Sequence, residues 1–278
     1  MKLSVGFLTG RIEPRLHWAL EAIAAQVKPD DEIQVVVIDA LEHLRGNRVV
    51  GDPEREVLAR APMIEVTVSA VRPNIWQGRH RITQGEWWAT AASRNTFLCL
   101  AEHDYIAFLD DCCRPGPAWL ETVRRGEREQ SSVITGCFRK LEREGVPPPV
   151  RDHRLDMFPD GKPNCGGGWL YGCTFCLPLE WALEVNGFEE GCDSIAGEDY
   201  MFGLMLEQRG RQIDFCPELY VEQDREVGDE SCLPTFRKRD GGRSQAALAR
   251  FGKRDRTEFT PNLRERRTSI RAAALTLP

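Results

Sequence analysis

Two apolar runs that end in carboxylates constrain this chain more than any other feature. One reads Glu32-Ile33-Gln34-Val35-Val36-Val37-Ile38-Asp39, and the other reads Tyr105-Ile106-Ala107-Phe108-Leu109 followed by Asp110-Asp111. Neither shows the strict alternation of a strand with one wet face. Near-continuous apolar strands are typical of parallel strands buried on both sides, and such strands need helices above and below them. The spacing predicts further strands over 3–9 and 64–71. It predicts helices opened by Pro14, with Leu16, Ala19, Leu20 and Ile23 on one face, and over 85–100 and 117–125. Strand and helix in this order predict a layered α/β fold, a mostly parallel central sheet flanked by helices.

The second half is less regular. Strands are expected over 132–138 and 169–177, helices over 179–186 and 199–208, the latter ended by Gly210, and short closing strands over 212–215 and 219–222. The stretch between the first two strands carries Pro147-Pro148-Pro149 and Asp160-Gly161-Lys162-Pro163 and reads as a long loop, often a functional feature in a compact domain.

Composition narrows the class. With 41% hydrophobic and 29% charged residues among 278, the chain has ample material for a core, which excludes a mainly disordered or fibrous protein. No apolar run approaches the about 18 residues of a membrane span. The N-terminal apolar stretch is too short for a secretory signal, so a cytoplasmic address is expected. The ten cysteines then read as reduced thiols. Cys173 and Cys176 form a CxxC, which is compatible with zinc or redox work; the competing reading is a pair of small buried hydrophobes on opposite faces of a strand.

The net charge of −6 hides an asymmetry: residues 237–278 carry +8 and the remainder −14. The chain therefore divides into a main domain over 1–236 and a basic C-terminal extension over 237–278. A basic tail on an acidic body invites an anionic partner (a nucleic acid, a membrane surface or the body itself) or is a solvated helix.

Ligands of open α/β sheets bind beyond the carboxyl ends of the strands. Asp39, Asp110 and Asp111 stand at such ends, and adjacent acids there suit Mg²⁺ or Mn²⁺ as readily as they start a turn. Gly197-Glu198-Asp199 opens an apolar helix. These acids either cap it or supply a general base. His80 sits in a basic loop, and Trp87-Trp88 start the helix that leads to Ser93-Arg94-Asn95.

Taken together, these pieces resemble the GT-A-fold glycosyltransferases, most of all the inverting family 2. The matching residues are the strand ending in Thr9, Val36-Val37-Ile38-Asp39, Ser93-Arg94-Asn95, Tyr105 to Asp111 with Pro117-Ala118-Trp119-Leu120 after it, Val185-Asn186-Gly187-Phe188-Glu189, and Gly197-Glu198-Asp199 with Gly210 beyond. The likeness covers about residues 3–225. It implies a metal-assisted transferase that moves a sugar from a nucleotide diphosphate, expected to be UDP, to a hydroxyl acceptor with inversion. It implies that Thr9, Arg11 and Asp39 line the nucleotide pocket, and that Arg94 holds the diphosphate side. Asp110 and Asp111 would bind Mn²⁺ or Mg²⁺. Asp199 would be the base with Glu198 in support, and Gly166-Gly167-Gly168-Trp169 would border the donor sugar and acceptor. Position 112 departs from the family's Asp-x-Asp pattern with Cys112. No His follows the last core strand, where Glu222 is the nearest substitute. A related nucleotidyltransferase and a binding protein without turnover are the alternatives. The acceptor is open, a modified nucleic acid included.

Overall fold

The computed structural model describes residues 1–11, 13–72, 89–141, 151–193, 197–224 and 262–275. His80, Trp87, Trp88 and Arg237-Lys238-Arg239 lie outside these residues.

Among the described residues, eight strands form one mixed, mostly parallel sheet. They are β1 (Lys2–Thr9), β2 (Glu32–Asp39), β3 (Ile64–Ala70), β4 (Tyr105–Asp110), β5 (Cys113–Pro115), β6 (Val133–Lys140), β7 (Thr174–Pro178) and β8 (Ile213–Gln223), in the order β3-β2-β1-β4-β7-β6-β8-β5. The first four are parallel to one another. β7 runs antiparallel to β4 and β6, β8 parallel to β6, and β5 antiparallel to β8.

The described helices are α1 (Leu16–Ala24), α2 (Glu42–Arg45), α3 (Asp52–Arg60), α4 (Thr90–Leu100), α5 (Trp119–Glu129), α6 (Arg154–Met157), α7 (Leu179–Glu184), α8 (Glu198–Gln208) and α9 (Leu263–Leu275). The two-residue period of a strand divides the core. Val35 and Val37 of β2 pack in one apolar layer with Leu16, Leu20 and Ile23 of α1 and Trp119, Leu120 and Val123 of α5. Val36 and Ile38 face the other layer, with Phe97 of α4, Ala182 of α7 and Phe202 of α8. The predicted inner face of α1 is the one that is buried.

Two second-half expectations are corrected. The strand expected over 169–177 begins only at Thr174; Gly167–Trp169 is instead a single tight helical turn. The two short closing strands are one strand, β8. Its ladder with β6 slips between Thr135 and Cys137, so residues 216–219 arch opposite Gly136. Such a bulge accommodates Pro217, which cannot donate to a ladder. It also demands glycine at 136, where a Cβ would overlap the Leu219 carbonyl.

The last described helix, α9, packs against α4. Leu263 is buried in the α4 layer. Arg266 pairs with the fully buried Glu190 at 2.7 Å, Arg264 pairs with Glu180, and Arg267 donates to the Leu98 and Cys99 carbonyls at 2.7 and 3.2 Å. A cation on the last carbonyls of α4 also complements that helix's dipole. No helix among the described residues is long and apolar enough to cross a membrane.

Candidate active site

The parallel register places the first cluster. Thr9 lies beside Asp39, and Leu8 beside Asp110, so three strand ends meet at the carboxyl edge of the sheet. Asp39 is fully buried, and its Oδ1 accepts from the Leu41 amide at 2.8 Å, starting the turn after β2.

Asp110 and Asp111 diverge. Asp111 points at the N-terminal strand. Its Oδ2 accepts from the Thr9 hydroxyl (3.0 Å) and the Gly10 amide (3.4 Å), and its Oδ1 from Arg11 Nε (2.8 Å). Burial pushes this carboxyl up, against the opposing pull of Arg11 and Thr9. Asp110 leaves 38% of its side chain exposed, with Oδ1 3.8 Å from Arg94 Nη2. Burial, then the neighbouring Asp111, Glu198 and Asp199, push its carboxyl up to about 7 despite Arg94. Water at the exposed part of the side chain screens some of that repulsion.

The resemblance put Arg94 on the diphosphate side. In the structure it is 2% exposed and, besides Asp110, serves three protein partners. Nη1 donates to Glu198 Oε1 at 2.5 Å, Nη2 donates to the Gly172 carbonyl at 3.3 Å, and the guanidinium lies 5.3 Å from the Phe188 ring centre. Burial alone would lower its pKa; Glu198, Asp110 and Asp199 more than offset this and keep the guanidinium charged. Helix α4 is fixed so that Arg94 can reach them. Asp193 Oδ1 accepts from the Ala91 and Ala92 amides at its first turn. Asn95 exchanges hydrogen bonds with the Phe188 backbone in both directions, at 2.8 and 2.9 Å. The Ser93-Arg94-Asn95 motif is thereby a structural clamp around one charged side chain.

Glu198 and Asp199 also split their work. Glu198 is buried against Arg94, and burial with the adjacent Asp199 pushes its carboxyl up. Asp199 is half-buried at the first turn of α8. Its Oδ2 accepts from the Gly172 amide (2.7 Å) and its Oδ1 from the Tyr200 amide (2.8 Å). Gly172 therefore touches Arg94 through its carbonyl and Asp199 through its amide. The two acidic constellations converge on one guanidinium and one glycine.

Gly167 packs so tightly on Gly203 of α8 that a Cβ would overlap its carbonyl. Gly168 lies under the Tyr200 ring. Trp169 packs its ring near His153 (5.7 Å) and Phe158 (5.9 Å). Cys173 and Cys176 are buried, and Cys176 accepts from the Tyr105 hydroxyl at 3.5 Å. Glu222 is taken by Arg114. Asp193, Asp152 and Arg154 were invisible to sequence reasoning: each stands in a loop or in a single short helical turn, with no periodicity to mark it.

The fit of a divalent cation rests on Asp110. Among the described residues no group of three or more ligating side chains gathers. Magnesium and manganese sites that share a substrate's phosphates need only one or two carboxylates. Asp110 is open for this, while both oxygens of Asp111 are already engaged.

Searched against protein-family models and against curated proteins, the chain matches none. Solved structures do match. Residues 1–349 of S. aureus TarS superpose with a TM-score of 0.57 at 19% identity, covering 91% of this chain and 71% of that one. The same fragment in complex with UDP-GlcNAc gives 0.56 at 17% identity, over 82% and 60%. The longer TarS structure gives 0.55 at 19%, and there the match spans 43% of its length. At this identity the likeness is one of fold: the chain is built like TarS, a GT-A-fold glycosyltransferase.

Proposed function

We propose that the protein transfers a sugar from a nucleotide diphosphate, UDP-linked, to a hydroxyl acceptor with inversion. The observation that carries this reading is the meeting of Asp110 and Asp199 around Arg94 and Gly172, in a fold shared with a protein crystallised with UDP-GlcNAc.

Asp199 is the base. The Gly172 and Tyr200 amides fix the direction of its carboxyl group, as a base that must meet an acceptor's hydroxyl proton requires. Glu198 acts through Arg94 rather than as a second base. Arg94 keeps the acids of the two constellations apart and compensates their charge. Thr9, Arg11 and Asp39 stand at the nucleotide side. Arg11, part-exposed, is the cation that would turn from Asp111 toward the donor's phosphates. Gly168 and Trp169 border the transferred sugar. Asp110, with the donor's diphosphate oxygens, would hold Mn²⁺ or Mg²⁺. When bound, that cation supplies the charge stabilisation a leaving nucleotide diphosphate needs.

Calorimetric titration of UDP-GlcNAc with and without Mn²⁺, together with UDP release, tests the reading. Native protein binds the donor more tightly with Mn²⁺ and releases UDP. Asp199→Asn lowers turnover by about 10³-fold, in the range of lost general-base catalysis, and leaves donor affinity nearly unchanged. Donor binding without UDP release under any metal would instead mark a binding protein. An unaltered rate in Asp199→Asn would remove the assigned base.

A further inference from the structure

Outside the acidic cluster, the largest fully buried charged side chain among the described residues is that of Arg154, at 0% exposure beside Asp152 at 1%. It is the first residue of α6, and nothing in the reaction above uses it. Every donor of its guanidinium is spoken for. Nε donates to both Asp152 oxygens (3.0 and 3.1 Å) and Nη2 to Asp152 Oδ2 (2.6 Å) and the Gly136 carbonyl (2.5 Å). Nη1 donates to Thr135 Oγ1 (3.1 Å) and the Trp169 carbonyl (2.6 Å). The plane is sandwiched 3.9 Å from the Tyr171 ring centre and 4.7 Å from that of Phe215.

Two of these partners, Trp169 and Tyr171, belong to the segment that ends at Gly172. That glycine donates its amide to Asp199 and offers its carbonyl to Arg94. One short, irregular segment is thus gripped by a buried arginine at each end. It has no strand ladder of its own, since β7 starts only at Thr174. A loop without ladder bonds needs other partners to hold an amide in place.

We propose that Arg154 is a positioning residue: it fixes residues 169–172 as the rigid wall that aims Asp199. This rests on the assignment of Asp199 as base. A planar fork suits the task, because it reaches a carboxylate, three backbone or hydroxyl oxygens and two ring faces at once; an ammonium cannot. A merely space-filling role makes a different prediction. Buried ion pairs replaced on both sides by apolar groups often leave stability unharmed.

The decisive variant is therefore the double substitution Asp152→Leu with Arg154→Met in the full chain, which removes both charges and keeps the volume. Arg154→Lys is its companion and retains the ion pair. Hydrogen–deuterium exchange of the peptide over 165–173 and steady-state kinetics are read on each. Both variants are expected to fold. Exchange in that peptide rises about tenfold or more, reflecting easier local opening. The kcat falls about 10²-fold, as a misaimed reactive group does, with the donor's Kd unchanged within about twofold. Unchanged exchange in the double variant overturns the proposal. So does raised exchange with native kcat. Should the native enzyme show no turnover at all, the base assignment falls with the proposed function. The exchange measurement then still decides whether Arg154 holds the wall.

Discussion

In β1, β2 and β4 the strands send residues into both apolar layers, and most interior positions are aliphatic or aromatic. In β6 to β8 the interior is different. It is crossed by the Arg154–Asp152 pair, its ladder slips opposite Gly136, and the segment leading into β7 hangs from two arginines. The first region is specified by volume and is tolerant. The second is specified by single atoms and directed hydrogen bonds, and it carries the wall of the candidate site. Apolar packing is non-directional, whereas a buried guanidinium accepts only one arrangement of its partners.

Four substitutions sharpen or break that contrast. The largest effect is expected where the smallest group is added. Gly136→Ala forces its methyl into the Leu219 carbonyl, a backbone atom that cannot swing away, and should cost about 3 kcal/mol or more in urea unfolding. A native-like midpoint would show that the bulge is soft.

The parallel half has a buried ionic pin at Asp31, which should behave like the pins of the other half. Burial would push the Asp31 carboxyl up, but the Lys28 amide, Arg124 at 2.7 Å and the N-terminal ammonium at 3.1 Å hold it below the ordinary range. Its contribution is fully present above the unfolded carboxylate pKa near 4 and is lost as pH falls through the lower folded value. Asp31→Asn should cost about 3 kcal/mol at neutral pH and flatten the acid limb of the melting-temperature profile. An equally steep acid limb in the variant would assign acid lability elsewhere.

Ile38→Val, deep in the parallel half, should cost only about 1 kcal/mol, the usual consequence of one lost methylene. A loss as large as that of Gly136→Ala would erase the proposed difference between the halves.

The smallest effect has the opposite sign. Asp110 is one of three carboxylates around Arg94, and its ionised form is disfavoured by burial and by its acidic neighbours. Asp110→Asn should raise the melting temperature by about a degree, a modest gain because water screens the exposed part of the side chain. It should also abolish the Mn²⁺-dependent part of UDP-GlcNAc affinity. A lower melting temperature would mean that the attraction of Arg94 outweighs both penalties.

The parallel strands were legible because their apolar runs have few ways to be satisfied. Predicted and observed bounds agree within a residue or two for β1 to β4, and the buried stripe of α1 is the one its spacing predicts. The second half was less legible. Trp169 was expected in a strand, but three glycines let the chain turn tightly against α8. Two short closing strands were expected over 212–215 and 219–222, and they are instead one strand whose break is absorbed in a bulge, a solution visible only once β6 lies alongside.

The sequence by itself determined that acids would stand at the carboxyl ends of buried strands and at the start of an apolar helix, because hydrophobic period and chain polarity are local properties. Only the tertiary structure decided which of those acids stay open. Asp111 turned to Arg11, Glu198 to Arg94, and Asp110 and Asp199 kept exposed surface. Those choices depend on cations far away in sequence that packing brings within hydrogen-bonding distance, and no local pattern encodes such a meeting.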